Sequence, residues 1–232
     1  MKKKNSFWIN PLFALALSAI VLAGCPGPVE EDSVQTNTVK DIDGNNYKTV
    51  TIGTQVWLAE NLKTNKFNDG TAIPLISDPI AWIGRNTPAY CWYDNNAANK
   101  SVYGALYNWH TVNTGKLCPK GWHVPTDSEW TTMSNYLGGE SIAGGKLKET
   151  GTSHWVSPNS GATNTTGFTA LPGGWLGSGS FNGITNYGYW WSSKEDLATG
   201  YAWAWHTGYD NIFNYKDFSG KENGLSVRCL RD

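Results

Sequence analysis

Val124-Pro125-Thr126-Asp127-Ser128-Glu129-Trp130 opens the clearest helix in the chain, and Leu137-Gly138-Gly139 closes it. Thr126 and Glu129 have capping-box spacing: the threonine side chain can accept from the amide of residue 129, and the glutamate can reach back to the amide of residue 126. Trp130, Met133 and Leu137 then fall at i, i+3 and i+7, on one face. Gly138-Gly139 supplies the left-handed residue with which many helices end. A second, shorter helix is expected with Ser101 as its cap, bearing Ala105, Leu106 and Trp109.

Outward from this helix the pattern is β. Residues 39–42 lead into the turn signal Asp43-Gly44-Asn45-Asn46, then 47–52 follow with Val50 and Ile52 on one face. Gly53-Thr54 turns the chain into 55–62, where Val56 and Leu58 alternate. Asp41, Asp43 and Asn45 superficially resemble a calcium loop. The glycine follows Asp43 directly instead of standing at loop position six, and no glutamate closes the loop, so the stretch reads as a hairpin. Residues 65–93 are loop-rich. Beyond residue 145 no helix is legible, and aromatic strands are expected at 167–171, 187–193, 201–206, 211–215 and 225–230. Leu225, Val227 and Cys229 share a face of the last one, as in a central strand. The expectation is an α+β fold, two short helices on a twisted antiparallel sheet with long irregular loops.

The N-terminus carries a different signal. Lys2, Lys3 and Lys4 precede a mostly apolar stretch, residues 7–22, which ends in Leu22-Ala23-Gly24-Cys25. The stretch is short and lacks a charged stop-transfer flank, so residues 1–24 read as a signal peptide and not as a membrane span. Its ending resembles a bacterial lipobox. That resemblance implies cleavage before Cys25, lipidation of its thiol, and an outer-membrane or cell-surface location through the lipid anchor. Each buried lipid methylene contributes roughly 0.8 kcal/mol, so several chains hold firmly. Residues 25–38 read as a tether, with prolines and the acidic run Glu30-Glu31-Asp32. The run also resembles a Bacteroidetes surface-export signal; a plain flexible stalk is the other reading.

Residues 39–232 remain, enough for one domain with a sizeable core. Charged residues are 16% of the chain, against roughly 25% in an average soluble protein. Removing the three signal lysines takes the formal charge from −1 to −4. With no basic stripe, nucleic acid is not an expected partner. A surface of neutral polar groups and aromatics suits neutral polar ligands. Three cysteines stay after Cys25 is used; Cys118–Cys229 is the favoured disulfide, with Cys91 left over, and three buried thiols are the alternative.

Several motifs point one way: Ile52-Gly53-Thr54-Gln55-Val56-Trp57-Leu58-Ala59-Glu60-Asn61-Leu62, Tyr103-Gly104-Ala105-Leu106-Tyr107-Asn108-Trp109, Cys118-Pro119-Lys120-Gly121-Trp122-His123 running into the helix start, Gly167-Phe168-Thr169-Ala170-Leu171-Pro172-Gly173-Gly174, Gly188-Tyr189-Trp190-Trp191-Ser192-Ser193 and Leu225-Ser226-Val227-Arg228-Cys229. Together they resemble the Fibrobacter succinogenes major paralogous domain family over nearly all of 39–232. The resemblance implies a lipoprotein or secreted context and no known reaction. More distantly, the helix start and Ser226-Val227-Arg228-Cys229 look like formylglycine-generating enzymes, which implies a C-type-lectin-like fold. Fold alone does not bring function.

Those enzymes use a reactive cysteine pair, and the cysteines here match none. No G-x-S-x-G, G-x-G-x-x-G, phosphate loop or H-E-x-x-H occurs, and the four histidines have no metal spacing. A non-enzymatic recognition domain is therefore expected, for glycan or a surface protein; an assembly subunit of the cell surface and, less favoured, a two-carboxylate hydrolase are the alternatives. On a strand Tyr201, Trp203 and Trp205 share a face, Ala202 and Ala204 take the other, and of Trp190 and Trp191 one points in and one out. Candidate ligand contacts are Trp175, Tyr187, Trp190, Trp203, Tyr209 and Tyr215, with Phe181 nearby, because tryptophan and tyrosine give rigid contact area with a polar handle. No cofactor is required. By analogy with lectins calcium is a candidate, with Asp69, Asp94, Asp210 and Asp217 as possible ligands.

Overall fold

The computed structural model describes Met1 and residues 37–232. The signal peptide, Cys25 and nearly all of the tether lie outside the described residues.

The opening strands are β1 (Thr38–Lys40), β2 (Asn46–Ile52) and β3 (Gln55–Leu58). The central part carries β4 (Tyr90–Cys91), α1 (Asn99–Tyr103), β5 (Leu106–Tyr107), α2 (Trp109–Val112), β6 (Trp122–His123), α3 (Asp127–Tyr136) and α4 (Glu140–Leu147). The rest is β: β7 (Gly173–Gly177), β8 (Ser180–Ile184), β9 (Tyr187–Glu195), β10 (Ala202–Gly208), β11 (Tyr215–Ser219) and β12 (Leu230–Arg231). The domain is mostly β with short helices. One sheet runs β1-β2-β3-β12-β6, so the last strand pairs beside the first hairpin; a second runs β11-β10-β9-β7-β8.

The β1–β2 turn is a hairpin held by acid. The Asp41 carboxylate accepts from the amides of Asp43 and Asn45 at 3.0 and 2.9 Å, and from the Tyr47 hydroxyl at 2.6 Å. With its oxygens already met by donors, it organises the turn without a metal ion.

Helix α3 has the capping box: Thr126 Oγ1 accepts from the Glu129 amide at 3.3 Å, and Glu129 Oε2 accepts from the Thr126 amide at 2.7 Å. Trp130, Met133 and Leu137 are buried, and Gly138 takes φ +104°. The helix count differs from the expectation. A new helix, α4, starts directly after Gly139, and its paired glycines conceal it from propensity. They are needed for close approach: a Cβ on Gly144 would collide with the Phe213 carbonyl, and one on Gly145 would lie 2.6 Å from that of Gly161. The helix expected from Ser101 also breaks. Ser101 sits inside α1, Gly104 (φ +75°) ends it, and α2 starts anew with Asn108 Oδ1 accepting from the Thr111 amide at 3.1 Å. A Cβ at Gly104 would meet the Leu62 carbonyl at 2.7 Å.

Two expected strands also change. Residues 167–171 make only an isolated bridge, Lys148 to Ala170, and the 211–215 strand starts only at Tyr215. Residues 225–229 join single bridges to Tyr107 and Trp190 before β12. Leu225, Val227 and Cys229 are buried together, as their spacing indicates. Cys118 is bonded to Cys229 across 111 residues, and Cys91 is a buried free thiol.

The second sheet separates two cores. Trp191, Ala202 and Ala204 belong to one; Trp190 and Trp205 belong to the other, with Trp130 and Phe168. Among the described residues no helix is long and apolar enough to cross a membrane.

Candidate functional site

Strand alternation gives β9 and β10 two faces. Trp190 and Trp205 face the helices. Tyr187, Tyr189 and His206 face the other way, joined by Trp175 from β7 and Tyr215 from β11. The register sets His206 directly opposite both Tyr189 and Tyr215. Their rings follow: Tyr189 stacks on His206 at 4.6 Å and 24°, and His206 stacks on Tyr215 at 5.0 Å and 26°. Trp175 meets Tyr189 edge-on at 4.9 Å, Tyr187 meets Tyr209 at 6.3 Å, and Phe213 meets Tyr215 at 5.1 Å. A continuous aromatic row thus crosses four strands. Trp175, Tyr187, Tyr189, His206 and Tyr209 are half-buried and Tyr215 is 38% exposed. Because the stacked rings cover each other's faces, Tyr189, His206 and Tyr215 offer their edges to solvent.

Between this row and β11 lies a concavity of about 210 Å³, lined by Trp175, Tyr189, Ala204, Asp217, Ser219 and Asn223 among others. Ala204 makes the room, since it pairs with Asp217 on β11 and a larger residue would fill the gap. Burial pushes the Tyr189 phenol up to about 12, with the Asp217 carboxylate adding to the rise. Burial lowers the His206 imidazole, whose Nδ1 has no partner among the described residues. Both therefore stand neutral at pH 7.

The sequence candidates divide. Trp175, Tyr187, Tyr209 and Tyr215 are brought together. Trp190 is corrected: it is 1% exposed and belongs to the core. The expectation that one of Trp190 and Trp191 points outward fails because this sheet has a core on both sides. Trp203 is separated: it lies on the opposite face, 4.1 Å from the Phe218 ring, with Lys216 Nζ 3.9 Å above its indole. Phe181 packs on Tyr93 at 5.2 Å, against a third core. His206 and Asn223 are not among the residues the sequence singles out, and Tyr189 stands there only among the aromatics near the candidate contacts. A period-2 count continued from Tyr187 finds Tyr189, while His206 needs the strand register. Asp69, Asp94, Asp210 and Asp217 are not gathered, and no group of three or more His, Cys, Asp or Glu side chains among the described residues is arranged to hold a metal ion. Asp69 instead bonds the Thr71 amide and Lys116, which hold its carboxyl at about 2.

Two buried cations act as ties. Lys148 Nζ donates to the carbonyls of Ser160, Gly208 and Asn211 at 2.9, 2.9 and 2.7 Å, fastening the loop that carries Tyr209; burial lowers its amine to about 8. Arg228 is fully buried. It donates to Asn61 Oδ1 at 2.7 Å and to the carbonyls of Leu58, Phe168 and Thr169, and burial lowers its guanidinium to about 9. Asn61 Oδ1 also accepts from the Trp190 indole at 2.9 Å, and Asn61 Nδ2 donates to the Tyr103 carbonyl at 2.8 Å. Five of the sequence motifs meet at this one knot.

The described residues therefore form a mostly β domain with short helices, organised around that knot, with its last strand, β12, pairing with β3 of the opening hairpin. The chain belongs to the family described as the Fibrobacter succinogenes major domain, which matches residues 50–231. No curated protein and no solved structure matches the chain.

Proposed function

We propose that the chain is an exported lipoprotein, anchored through Cys25 at the outer membrane or cell surface, whose domain is a non-enzymatic module that recognises an extracellular glycan. The single observation that carries the recognition reading is the half-exposed aromatic row from Trp175 to Tyr215 beside a concavity. Aromatic edges, phenol hydroxyls and the Asn223 amide suit a polyhydroxylated ligand, and a row crossing four strands suits an extended one. The Cys118–Cys229 bond agrees with an oxidising compartment. The joining of terminal strands in one sheet supports placing the domain among C-type-lectin-like folds. An experimental structure whose helices and sheet order fail to superpose on such a domain would remove that placement.

A glycan array probed with and without calcium tests recognition. Selective binding that is lost in Tyr189→Ala and Trp175→Ala, with folding intact, is expected; binding indifferent to both variants would reject this face. For the anchor, metabolic labelling with a fatty-acid analogue is expected to mark the chain and to miss Cys25→Ser. Equal labelling of both would reject lipidation there.

A further inference from the structure

Resting on the glycan reading above, we propose that the concavity beside Trp175, Tyr189 and Asp217 selects a sugar bearing a free amino group. The charge layout carries this. Asp217 points into the concavity, and among the described residues its Oδ1 accepts only from the Phe218 amide, at 2.7 Å. It takes part in no ion pair with the described residues. Neighbouring lysines are turned elsewhere: Lys216 pairs with Asp127 at 2.7 Å on the far face, and Lys221 pairs with Glu195 and covers the Trp109 ring at 5.0 Å. A second concavity of about 240 Å³ shares Asn223 and is lined by Trp82 and Glu222. Glu222 likewise makes no ion pair with the described residues. Two uncompensated carboxylates thus bracket one amide, with indole and phenol rings beside them.

A neutral sugar leaves those carboxylates without a charged partner. A uronic acid is repelled. An ammonium group gains a charge-assisted hydrogen bond to a carboxylate. His206 does not offset the negative charge, because burial favours its neutral form. Acetylation of the amine removes the charge and with it the preference.

The test titrates the full-length chain, by tryptophan fluorescence, with three oligosaccharides of the same linkage and length: a glucosamine tetramer, its fully N-acetylated counterpart and a glucose tetramer. The glucosamine tetramer is expected to bind about five- to tenfold more tightly than the other two, the range of a partly exposed ion pair with a hydrogen bond. The preference should shrink as salt rises from about 0.05 to 0.5 M. Asp217→Asn should abolish the preference, bringing the glucosamine tetramer to the affinity of the glucose tetramer for the same variant; Glu222→Gln serves as a second variant should Asp217→Asn misfold. Equal or tighter binding of the acetylated or glucose tetramer overturns the amine preference and leaves glycan recognition standing. Failure of all three, with other glycans bound on the array, also overturns it alone. Failure on the array as well removes both.

Discussion

Tyr189 and Trp190 are neighbours in sequence and belong to opposite regimes. Trp190 points into the knot of Asn61 and Arg228, where the indole and the guanidinium both find acceptors and both side chains are buried. Tyr189 points onto the aromatic row, where rings touch one another and polar edges are left to water. The knot holds the residues that mark the family in sequence; the row holds the residues that offer a ligand something to touch. A buried guanidinium without a carboxylate partner tolerates almost no substitution around it, whereas a half-exposed ring can be exchanged at little structural cost.

The largest expected effect lies at the knot's end of the chain. Replacing Cys118 and Cys229 together by serine opens a loop of 111 residues and should cost about 4 kcal/mol, seen as a lower denaturant midpoint. A cost below about 1 kcal/mol would show that the knot closes the domain unaided. Asn61→Ala comes next. It strips an acceptor from both Arg228 and Trp190, and two buried donors left unmet should cost about 3 kcal/mol with little effect on any ligand. If it instead abolished binding and spared stability, the division between the two regions would be wrong.

Lys148 links the regions, because its amine fastens the Tyr209 loop from inside. Its folded pKa of about 8 lies below the ordinary 10.5. Between those values the unfolded chain binds the additional proton, so stability rises with pH across that window. The slope is at most about 1.4 kcal/mol per pH unit. Chemical denaturation between about pH 7.5 and 9.5 should show the rise and Lys148→Met should flatten it; parallel slopes in the two proteins would assign the effect to other groups. Tyrosine ionisation in the unfolded state works the other way above about pH 10, which sets the upper limit of the useful range.

What was legible in the sequence follows the same division. The capping box at Thr126 and Glu129 and the shared face of Leu225, Val227 and Cys229 are local patterns, and local patterns survive folding. The breaks at Gly104 and Gly144 depend on where Leu62 and Phe213 arrive from elsewhere in the chain, so propensity alone cannot show them. Trp190 was misassigned for a related reason. Period-2 alternation gives two faces but does not say that both are covered, and a sheet packed on both sides hides every large ring near its centre. His206 became part of the site only through the register that sets it between Tyr189 and Tyr215.

The smallest structural effect should accompany the clearest functional one. Tyr189→Ala removes a half-buried ring whose polar edge meets solvent, so its stability cost should stay near 1 kcal/mol, well below the 3–5 kcal/mol typical of a fully buried aromatic. Ligand affinity should nevertheless fall at least tenfold, because Tyr189 joins Trp175 to His206 and lines the concavity. Trp203→Ala supplies the contrast on the other face of the same sheet. It removes the stack on Phe218 and the contact with Lys216, and should lower stability by a similar amount while leaving affinity unchanged. Measuring both variants by thermal melt and ligand titration separates the faces. If Trp203→Ala lowers affinity as much as Tyr189→Ala, the ligand wraps the β11 edge and the row is only part of its footprint.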